Sequence, residues 1–289
     1  MNPKVKSFFH TSTYTWTHLV ICQNKNTAIL IDPVLDYCAN NANTSSQFTD
    51  NILDYIEAKQ IELKYVVETH AHADHLTSAH YIQQKMMVQT VIGEGITSVQ
   101  QTFKKVFSLG NNFQTNGNQF NLLLKDKDIV KFGNCQMTAM HTPGHTNDSM
   151  SYIIGDYVFI GDTLFSPDYG SARCDFPGGD TEKLYDSIQA IYQLGEEKRL
   201  YLCHDYPPND RDPQAWYSSK EQQQNNIHLN KGVSKNDFIK MRDARDKKLN
   251  QPRLIIPSIQ VNIDAGRFPE PGFNGISYLK IPLNTLGGK

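Results

Sequence analysis

Three histidines and one aspartate are concentrated in residues 69–75, whose sequence is THAHADH. The preceding residues 63–67 (LKYVV) are mostly apolar, and this pattern predicts a buried β-strand. A helical pattern begins near Leu76, so the polar cluster lies where a strand ends and a helix starts. This feature constrains the fold strongly, because the strand must bring several imidazoles to one place in the protein interior.

The spacing of these side chains predicts two adjacent points of convergence. In an extended segment, residues two apart point the same way, so His70 and His72 can face one point. Asp74 and His75 follow at the turn and can face a second point beside it. Burying several imidazoles without polar partners is costly, whereas neutral imidazole is the commonest protein ligand of metal ions. The stretch therefore predicts a metal site.

The net charge, the apolar runs and the cysteine spacing of the chain argue against several classes of protein. Its 289 residues fit one large α/β domain or two small ones, and the net charge of −2 gives no sign of nucleic-acid binding. No apolar run approaches the roughly 18 residues of a membrane helix. Residues 1–21 resemble neither a signal peptide nor a transit peptide, so we expect a cytoplasmic protein with no membrane association. The five cysteines lack short paired spacing, which argues against a disulfide framework.

Apolar periodicity predicts the order of strands and helices. Strands are expected at 14–22, 28–31, 63–68, 88–92, 120–124, 129–132, 136–141, 150–154, 157–160 and 200–203. Helices are expected at 49–59 with Thr49 as N-cap, from about residue 76, and at 96–107, 181–194 and 234–249. This order predicts an α/β fold with two sheets face to face and helices outside. We treat residues 1–289 as a single domain, with 212–289 as a C-terminal extension packed on it.

Three further strand ends carry residues that can bind a metal. His145 follows a Pro-Gly turn, Asp162 follows Gly161, and His204 follows the strand 200–203. Each is weak evidence alone, since an aspartate after glycine is more often a turn or cap residue. Together with residues 69–75 they make four strand ends that carry His or Asp. We expect these strands to share one edge of a sheet.

The order of these motifs resembles the metallo-β-lactamase superfamily: His-x-His-x-Asp-His, then Pro-Gly-His, then Gly-Asp, then His. The resemblance implies an αβ/βα four-layer sandwich with the metal site at one edge. Within the superfamily, the chain is most similar to the persulfide (sulfur) dioxygenases and to the β-lactamase hydrolase-like branch. The segments that carry this likeness are Thr69–Thr77, Gly161–Phe176, Cys203–Tyr206 and Pro257–Gly266.

Carried over to this sequence, the resemblance implies one Fe(II) per chain, bound by His70, His145 and Asp162. Two histidines and one carboxylate are the facial triad of non-haem Fe(II) oxygenases, which leaves positions for substrate and O2. The implied reaction oxidises glutathione persulfide with O2 and water to sulfite and glutathione. Arg173 and Tyr206 match positions that contact the glutathione part of the substrate, where an arginine fork suits a carboxylate.

A dinuclear hydrolase is the alternative hypothesis. His72, Asp74, His75 and His204 match positions that bind metals in the two-metal hydrolases and that mostly surround the ligands in the dioxygenases. With two zinc ions, the site would activate water to attack a thioester, as in glyoxalase II. The ligand residues do not decide between the two, but the segment 162–176 and the Cys-His-Asp-Tyr motif favour the dioxygenase. A β-lactamase and a non-catalytic metal-binding protein are weaker alternatives.

One segment departs from the family pattern. After Pro-Gly-His-Thr the family usually has Pro, a small residue and Cys, whereas this chain has Asn147, Asp148 and Ser149. We expect this difference to affect the shape of the pocket more than metal binding. The resemblance also leaves open a homodimer and a separate sulfurtransferase that supplies the substrate.

The other histidines, and the cysteines near the candidate site, have simpler interpretations. Four histidines are expected to be ordinary surface or core residues: His10, His18, His80 and His228. His141 is equally consistent with such a role and with a position beside the ligand loop. Cys174 and Cys203 are expected to be small buried hydrophobic residues in a reducing compartment.

Overall fold

The computed structural model describes residues 3–208 and 211–286. In chain order the strands are β1 (Lys4–His10), β2 (Thr15–Cys22), β3 (Thr27–Ile31), β4 (Val34–Tyr37), β5 (Thr44–Ser45), β6 (Glu62–Val67), β7 (Leu76–Thr77), β8 (Gln89–Gly93), β9 (Leu122–Leu124), β10 (Ile129–Phe132), β11 (Cys135–His141), β12 (Met150–Ile154), β13 (Tyr157–Phe159), β14 (Arg199–Tyr201) and β15 (Trp216–Ser218). The helices are α1 (Gln47–Ala58), α2 (Ala79–Met86), α3 (Ile96–Val106), α4 (Thr181–Tyr192), α5 (Ser219–Asn225), α6 (Lys235–Asp246) and α7 (Ile255–Asn262). Within these described ranges, no helix has the length and apolar character needed to cross a membrane.

The first sheet has six strands in the order β1-β2-β3-β6-β8-β9. Its first three strands pair antiparallel, whereas β3, β6, β8 and β9 pair parallel. Parallel neighbours need crossover connections, and α1, α2 and α3 lie in the three crossovers. Because the parallel strands end at the same edge, the segment after β6 emerges at that edge.

The second sheet also has six strands, in the order β10-β11-β12-β13-β14-β15. Strands β10 to β13 form an antiparallel meander, and α4 connects β13 to its parallel neighbour β14. A smaller sheet of β5, β4 and β7 lies beside the first sheet's crossovers.

Apolar side chains divide between the two faces of each sheet, as strand geometry requires. Along β2, Val20 belongs to a core shared by both sheets, whereas Leu19 belongs to a core shared with α1 and α2. Strands of the second sheet pack in the same way against α4 and α6, around Leu184 and Phe238. The layers are therefore helices, sheet, sheet and helices, which confirms the predicted αβ/βα sandwich.

Two helices begin at residues other than those predicted. The helix α1 begins at Gln47, and Thr49 does not cap it, because the Thr49 hydroxyl donates to the Val34 carbonyl (2.8 Å). The helix α2 begins at Ala79, because Leu76–Thr77 forms β7 and pairs with β4. In both cases a tertiary contact outweighs the local pattern.

Several elements were absent from the sequence prediction, among them β1, β15, α5 and α7. The last of these helices contacts the segment that the sequence singles out as a metal site. The side-chain amide of Asn262, the last residue of α7, donates to the carbonyls of His72 and His75, both at 2.8 Å. The C-terminal part of the chain therefore holds the loop after β6 in place.

Candidate metal centre

Four loops at one end of the two sheets bring the predicted ligands together. Residues 69–75 follow β6 in the first sheet, whereas His145 lies between β11 and β12 of the second. Asp162 and His204 follow β13 and β14, also in the second sheet. The prediction that all these strands share one sheet edge is therefore wrong. The sheets pack face to face, so neighbouring edges of both contribute ligands.

His70, His145 and Asp162 form one buried group, which we call the triad, with ligand atoms within 4.8 Å of one another. Asp162 Oδ2 lies 3.9 Å from His70 Nε2 and 3.7 Å from His145 Nε2. These separations are too long for hydrogen bonds. Two ligand atoms that are each about 2.1 Å from one ion can be up to about 4.2 Å apart. The triad is therefore spaced as ligands of a shared metal ion.

A second buried group, the second donor group, contains His72, His75, Cys203 and His204, whose ligand atoms also lie within 4.8 Å of one another. The carboxylate of Asp74, which is 27% exposed, lies 3.1 Å from His204 Nε2. Asp162 joins the two groups, because its second oxygen, Oδ1, lies 3.6 Å from His204 Nε2. The structure thus brings together all seven predicted metal-site residues.

Hydrogen bonds determine which ring nitrogen of each histidine faces the site. The Nδ1–H groups of His145 and His204 donate to backbone carbonyls at 2.8 and 3.3 Å. The Nδ1–H of His70 donates to the Thr69 hydroxyl at 3.1 Å. In each ring Nε2 is left without a proton and points at the other ligands. Partners of this kind orient metal-binding imidazoles and fix their tautomers.

Five buried polar atoms of the two groups have no hydrogen-bond partner among the described residues: His70 Nε2, His72 Nδ1, His75 Nε2, His204 Nε2 and Asp162 Oδ1. Buried polar atoms without partners are rare and costly. These atoms converge, and imidazole and carboxylate are common ligands of iron and zinc. The residues therefore fit a bound metal ion.

Burial keeps two of the histidines neutral, as metal binding requires. Burial, reinforced by the neighbouring imidazoles, lowers the pKa of His70 and of His75 well below the ordinary value. His72 differs from them. Although burial opposes its charged form, the carboxylate of Asp32 raises the pKa of His72 well above the ordinary value.

Asp32 holds the ligand loop, a role that the sequence analysis missed. Its carboxylate accepts hydrogen bonds from Thr69 N (2.7 Å), Thr69 Oγ1 (2.9 Å) and His72 Nε2 (3.1 Å). Glu68 Oε2 also lies 3.5 Å from His72 Nε2, and burial raises the pKa of Glu68 to about 7. These carboxylates direct Nδ1 of His72 at the second donor group. Asp32 and His72 are 40 positions apart, and no sequence pattern connects them.

The segment that departs from the family pattern contacts the ligand loop. Asp148 is fully buried, and its Oδ2 accepts a hydrogen bond from Ala71 N–H (2.8 Å), between His70 and His72. The Asn147 side chain donates to a serine hydroxyl at the start of α3 (2.9 Å). The expectation that this segment affects mainly pocket shape is therefore incomplete, since Asp148 also holds the loop that carries His70 and His72.

A cavity of about 350 Å³ opens beside the triad. His145 and Asp162 form part of its wall, so a ligand in the cavity would lie against the metal site. Aromatic rings form another part of the wall: Phe165, Tyr169, Phe176 and Tyr206. The Tyr206 ring lies parallel to that of His204, with centroids 5.7 Å apart.

Four arginines also line this cavity: Arg173, Arg242, Arg245 and Arg253. The guanidinium of Arg173 donates to both carboxylate oxygens of Asp175 at 2.6 Å and to a backbone carbonyl. Arg242 is buried in an ion pair. Arg245 and Arg253 are exposed, and neither forms a salt bridge within the part of the chain that the structure describes. The free cationic groups at the cavity are therefore Arg245 and Arg253, whereas the predicted substrate contact Arg173 is already paired.

The sequence profile of the metallo-β-lactamase superfamily matches residues 13–204. This range includes the triad and the second donor group. The chain belongs to the metallo-β-lactamase superfamily. The resemblance drawn from its motifs is confirmed.

Relatives in this superfamily carry names of different activities. Glyoxylase B2 of Dictyostelium discoideum is 44% identical, over 98% of this chain and 98% of that protein. A β-lactamase hydrolase-like protein of Xylella fastidiosa is 41% identical, over 99% of this chain and 66% of its own length. Persulfide dioxygenase ETHE1 of Homo sapiens is 24% identical, over 91% of this chain and 88% of its own. The crystal structure of ETHE1 from Myxococcus xanthus superposes with a TM-score of 0.73 and 28% identity, over 91% of this chain and all of that one.

The remaining histidines lie outside the triad and the second donor group of this superfamily member. His18 is buried and donates to the Leu202 carbonyl, and burial lowers its pKa to about 4. His141 donates to the Asn147 carbonyl at 3.0 Å, beside the loop that carries His145. Cys203 is buried, as expected, and its sulfur lies within 4.8 Å of the imidazole nitrogens of the second donor group.

Proposed function

We propose that the chain is a persulfide dioxygenase that binds one Fe(II) at His70, His145 and Asp162. The observation that carries the proposal is the triad itself, in which two buried histidines and one buried carboxylate converge. This donor set is typical of non-haem Fe(II) oxygenases. The net reaction is balanced as glutathione persulfide plus O2 plus water giving glutathione plus sulfurous acid, which ionises to sulfite.

Iron bound at the triad would supply the electron transfer between the persulfide sulfur and O2. The protein's own residues orient the ligands and the substrate. The Arg173 carbonyl and the Thr69 hydroxyl hold the rings of His145 and His70 with each Nε2 within 4 Å of Asp162 Oδ2. The aromatic wall, including Tyr206, limits access of water to the reacting sulfur.

The charge of the cavity suits an anionic thiol such as glutathione. The carboxylates of glutathione would be attracted by Arg245 and Arg253, which have no anionic partner among the described residues. An arginine fork binds a carboxylate well. Because Arg173 is paired with Asp175, we assign it to holding the His145 loop, with direct contact to the substrate left to the two free arginines.

The similarity to persulfide dioxygenase ETHE1 of Homo sapiens, at 24% identity, supports this proposal but is distant. A two-zinc thioester hydrolase is the second candidate. It is favoured by the second donor group, which lies beside Asp162, and by the name of the Dictyostelium relative at 44% identity. In this second candidate the second donor group would bind metal as well, whereas in the dioxygenase the triad alone would do so.

Metal content and oxygen uptake together distinguish the two candidates. The protein is purified without chelators, its metals are quantified, and O2 consumption is followed after addition of glutathione persulfide. We expect about one iron per chain and uptake that is lost in His145→Ala and Asp162→Ala. His141→Ala is the matched control, because it lies beside the same loop but outside both donor groups.

One set of results from the same experiment would contradict the proposal. About two zinc ions per chain, no O2 uptake, and cleavage of S-lactoylglutathione would refute the dioxygenase in favour of the hydrolase. The predictions of a cytoplasmic location, a homodimer and a separate sulfurtransferase are independent of this experiment and stay predictions.

A further inference from the structure

The peptide group between Arg173 and Cys174 connects a histidine of the triad to a buried ion pair. On one side, the Arg173 carbonyl accepts the Nδ1–H of His145 (2.8 Å). On the other side, the Cys174 N–H donates to Oδ2 of Asp246 (2.8 Å). A trans peptide group is planar, and its C=O and N–H point in opposite directions. The carboxylate, the peptide group and the imidazole therefore form a continuous chain of hydrogen bonds.

Arg242 holds the carboxylate of Asp246 in this chain of bonds. Both residues are on α6, and both are buried. The Arg242 guanidinium donates to Oδ1 of Asp246 from Nε (2.9 Å) and from Nη2 (2.6 Å), while Oδ2 accepts from Cys174. Its third nitrogen, Nη1, donates to the Ser171 carbonyl (3.0 Å). A helix of the C-terminal extension therefore holds residues 171–174 at two points.

The bonds to the backbone give this ion pair a role besides stability. A buried ion pair by itself contributes little to stability, because desolvation of the two charges offsets their attraction. A hydrogen bond to a charged acceptor is stronger than one between neutral groups, and hydrogen bonds in a chain polarise one another. The Asp246 carboxylate therefore makes the Arg173 carbonyl a stronger acceptor for His145.

We propose that Asp246, held by Arg242, is a positioning residue that orients the His145 imidazole through the peptide group between Arg173 and Cys174. Metal-binding histidines commonly donate their second ring nitrogen to a carboxylate or to a backbone carbonyl. Here the carbonyl and the carboxylate follow one another, so His145 keeps its proton on Nδ1 and its Nε2 free for a metal ion. The inference applies to both candidate functions, since His145 belongs to the triad in each.

Nitrogen NMR of metal-free protein with isotope-labelled histidine tests this role, because it shows which ring nitrogen carries the proton. Spectra are recorded at mildly alkaline pH, where imidazoles are neutral. The test variant combines Arg242→Met with Asp246→Leu, so that neither charge remains buried without its partner. We expect His145 to change from the Nδ1–H tautomer to a mixture of both tautomers. Zinc affinity, measured by competition with a chelator, should fall by about 10- to 100-fold.

Two controls separate positioning from a general effect on structure. His70 is the internal control, because its Nδ1–H donates to the Thr69 hydroxyl on the loop after β6. Asp243→Ala is the matched variant, because this residue is on the same helix and its carboxylate accepts from the Thr181 hydroxyl (2.8 Å). We expect the tautomer of His70 to be unchanged in every variant, and that of His145 to be unchanged in Asp243→Ala.

Two results would overturn the assignment. An unchanged His145 tautomer with unchanged zinc affinity in the double variant would mean that the peptide group keeps its orientation without Asp246. Equal changes at His145 and His70 would mean a general loss of structure.

Circular dichroism checks that the double variant folds. If it does not, Arg242→Met with Asp246→Asn takes its place, since the asparagine keeps an oxygen for the Cys174 amide without the charge. The second tautomer of His145 should still appear in that variant, and its absence would refute the proposal. Neither readout depends on O2 uptake, so failure here is separate from failure of the proposed function.

Discussion

The hydrogen bond from Ala71 N–H to Asp148 allows a sharp test of how the ligand loop is held. Ala71 lies between His70 and His72, and Asp148 Oδ2 accepts its amide proton at 2.8 Å in a fully buried position. In Asp148→Ala that amide has no acceptor, and leaving a buried donor unpaired costs about 1–3 kcal/mol. The thermal midpoint should fall by roughly 2–4 °C for each kcal/mol lost.

Metal binding should suffer more than stability alone explains. Residues that orient metal ligands typically change metal affinity by about 10- to 100-fold when they are removed. We expect a loss in this range for Asp148→Ala, measured by competition with a chelator of known affinity. The matched variant is Asp148→Asn, which keeps an oxygen for Ala71 N–H. Burial raises the pKa of the Asp148 carboxyl, so the negative charge is disfavoured at this position and its removal should cost little. The stability and metal affinity of Asp148→Asn should therefore stay close to those of the natural protein.

The reasoning fails in two cases. Natural metal affinity in Asp148→Ala would mean that the loop holds its shape without this bond. Equal losses in Asp148→Ala and Asp148→Asn would mean that the negative charge, not the accepted hydrogen bond, positions the ligands.

Three further predictions follow from the core, the cavity and a buried histidine. Ile29→Ala, in the core between the sheets, should lower the free energy of unfolding by about 2–5 kcal/mol in urea titrations, whereas Ile129→Ala, at a 55% exposed side chain, should have little effect. Arg245→Gln and Arg253→Gln should each raise KM for glutathione persulfide by roughly two- to fivefold without changing kcat; a change in kcat alone would contradict their role in substrate binding. Burial lowers the pKa of His18 from 6.5 to about 4, so the folded protein binds fewer protons than the unfolded chain between these values. The contribution of neutral His18 to the free energy of unfolding is therefore fully present above pH 6.5 and is lost as the pH falls toward 4. Urea titrations across this pH range should show the loss, and the loss should be smaller in His18→Gln.

Much of the site could be predicted from the sequence because the ligands lie at strand ends within short motifs. The strand before residues 69–75 and the turns before His145 and Asp162 each have a local pattern that determines where the side chain emerges. These local patterns also led to the correct superfamily and layer order. They could not show that the ligands come from two sheets, because strand periodicity carries no information about which sheet a strand joins.

The tertiary structure alone decided how the ligands are held and which groups remain free. Asp32 and Asp148 contact the ligand loop from 40 and 77 positions away, and Asn262 of α7 contacts it from 190. Arg173 is paired, and Cys203 lies among imidazoles. Such contacts depend on how two sheets and their helices pack. By itself the sequence determines a metal-binding member of the metallo-β-lactamase superfamily, and packing determines the hydrogen bonds that orient its ligands.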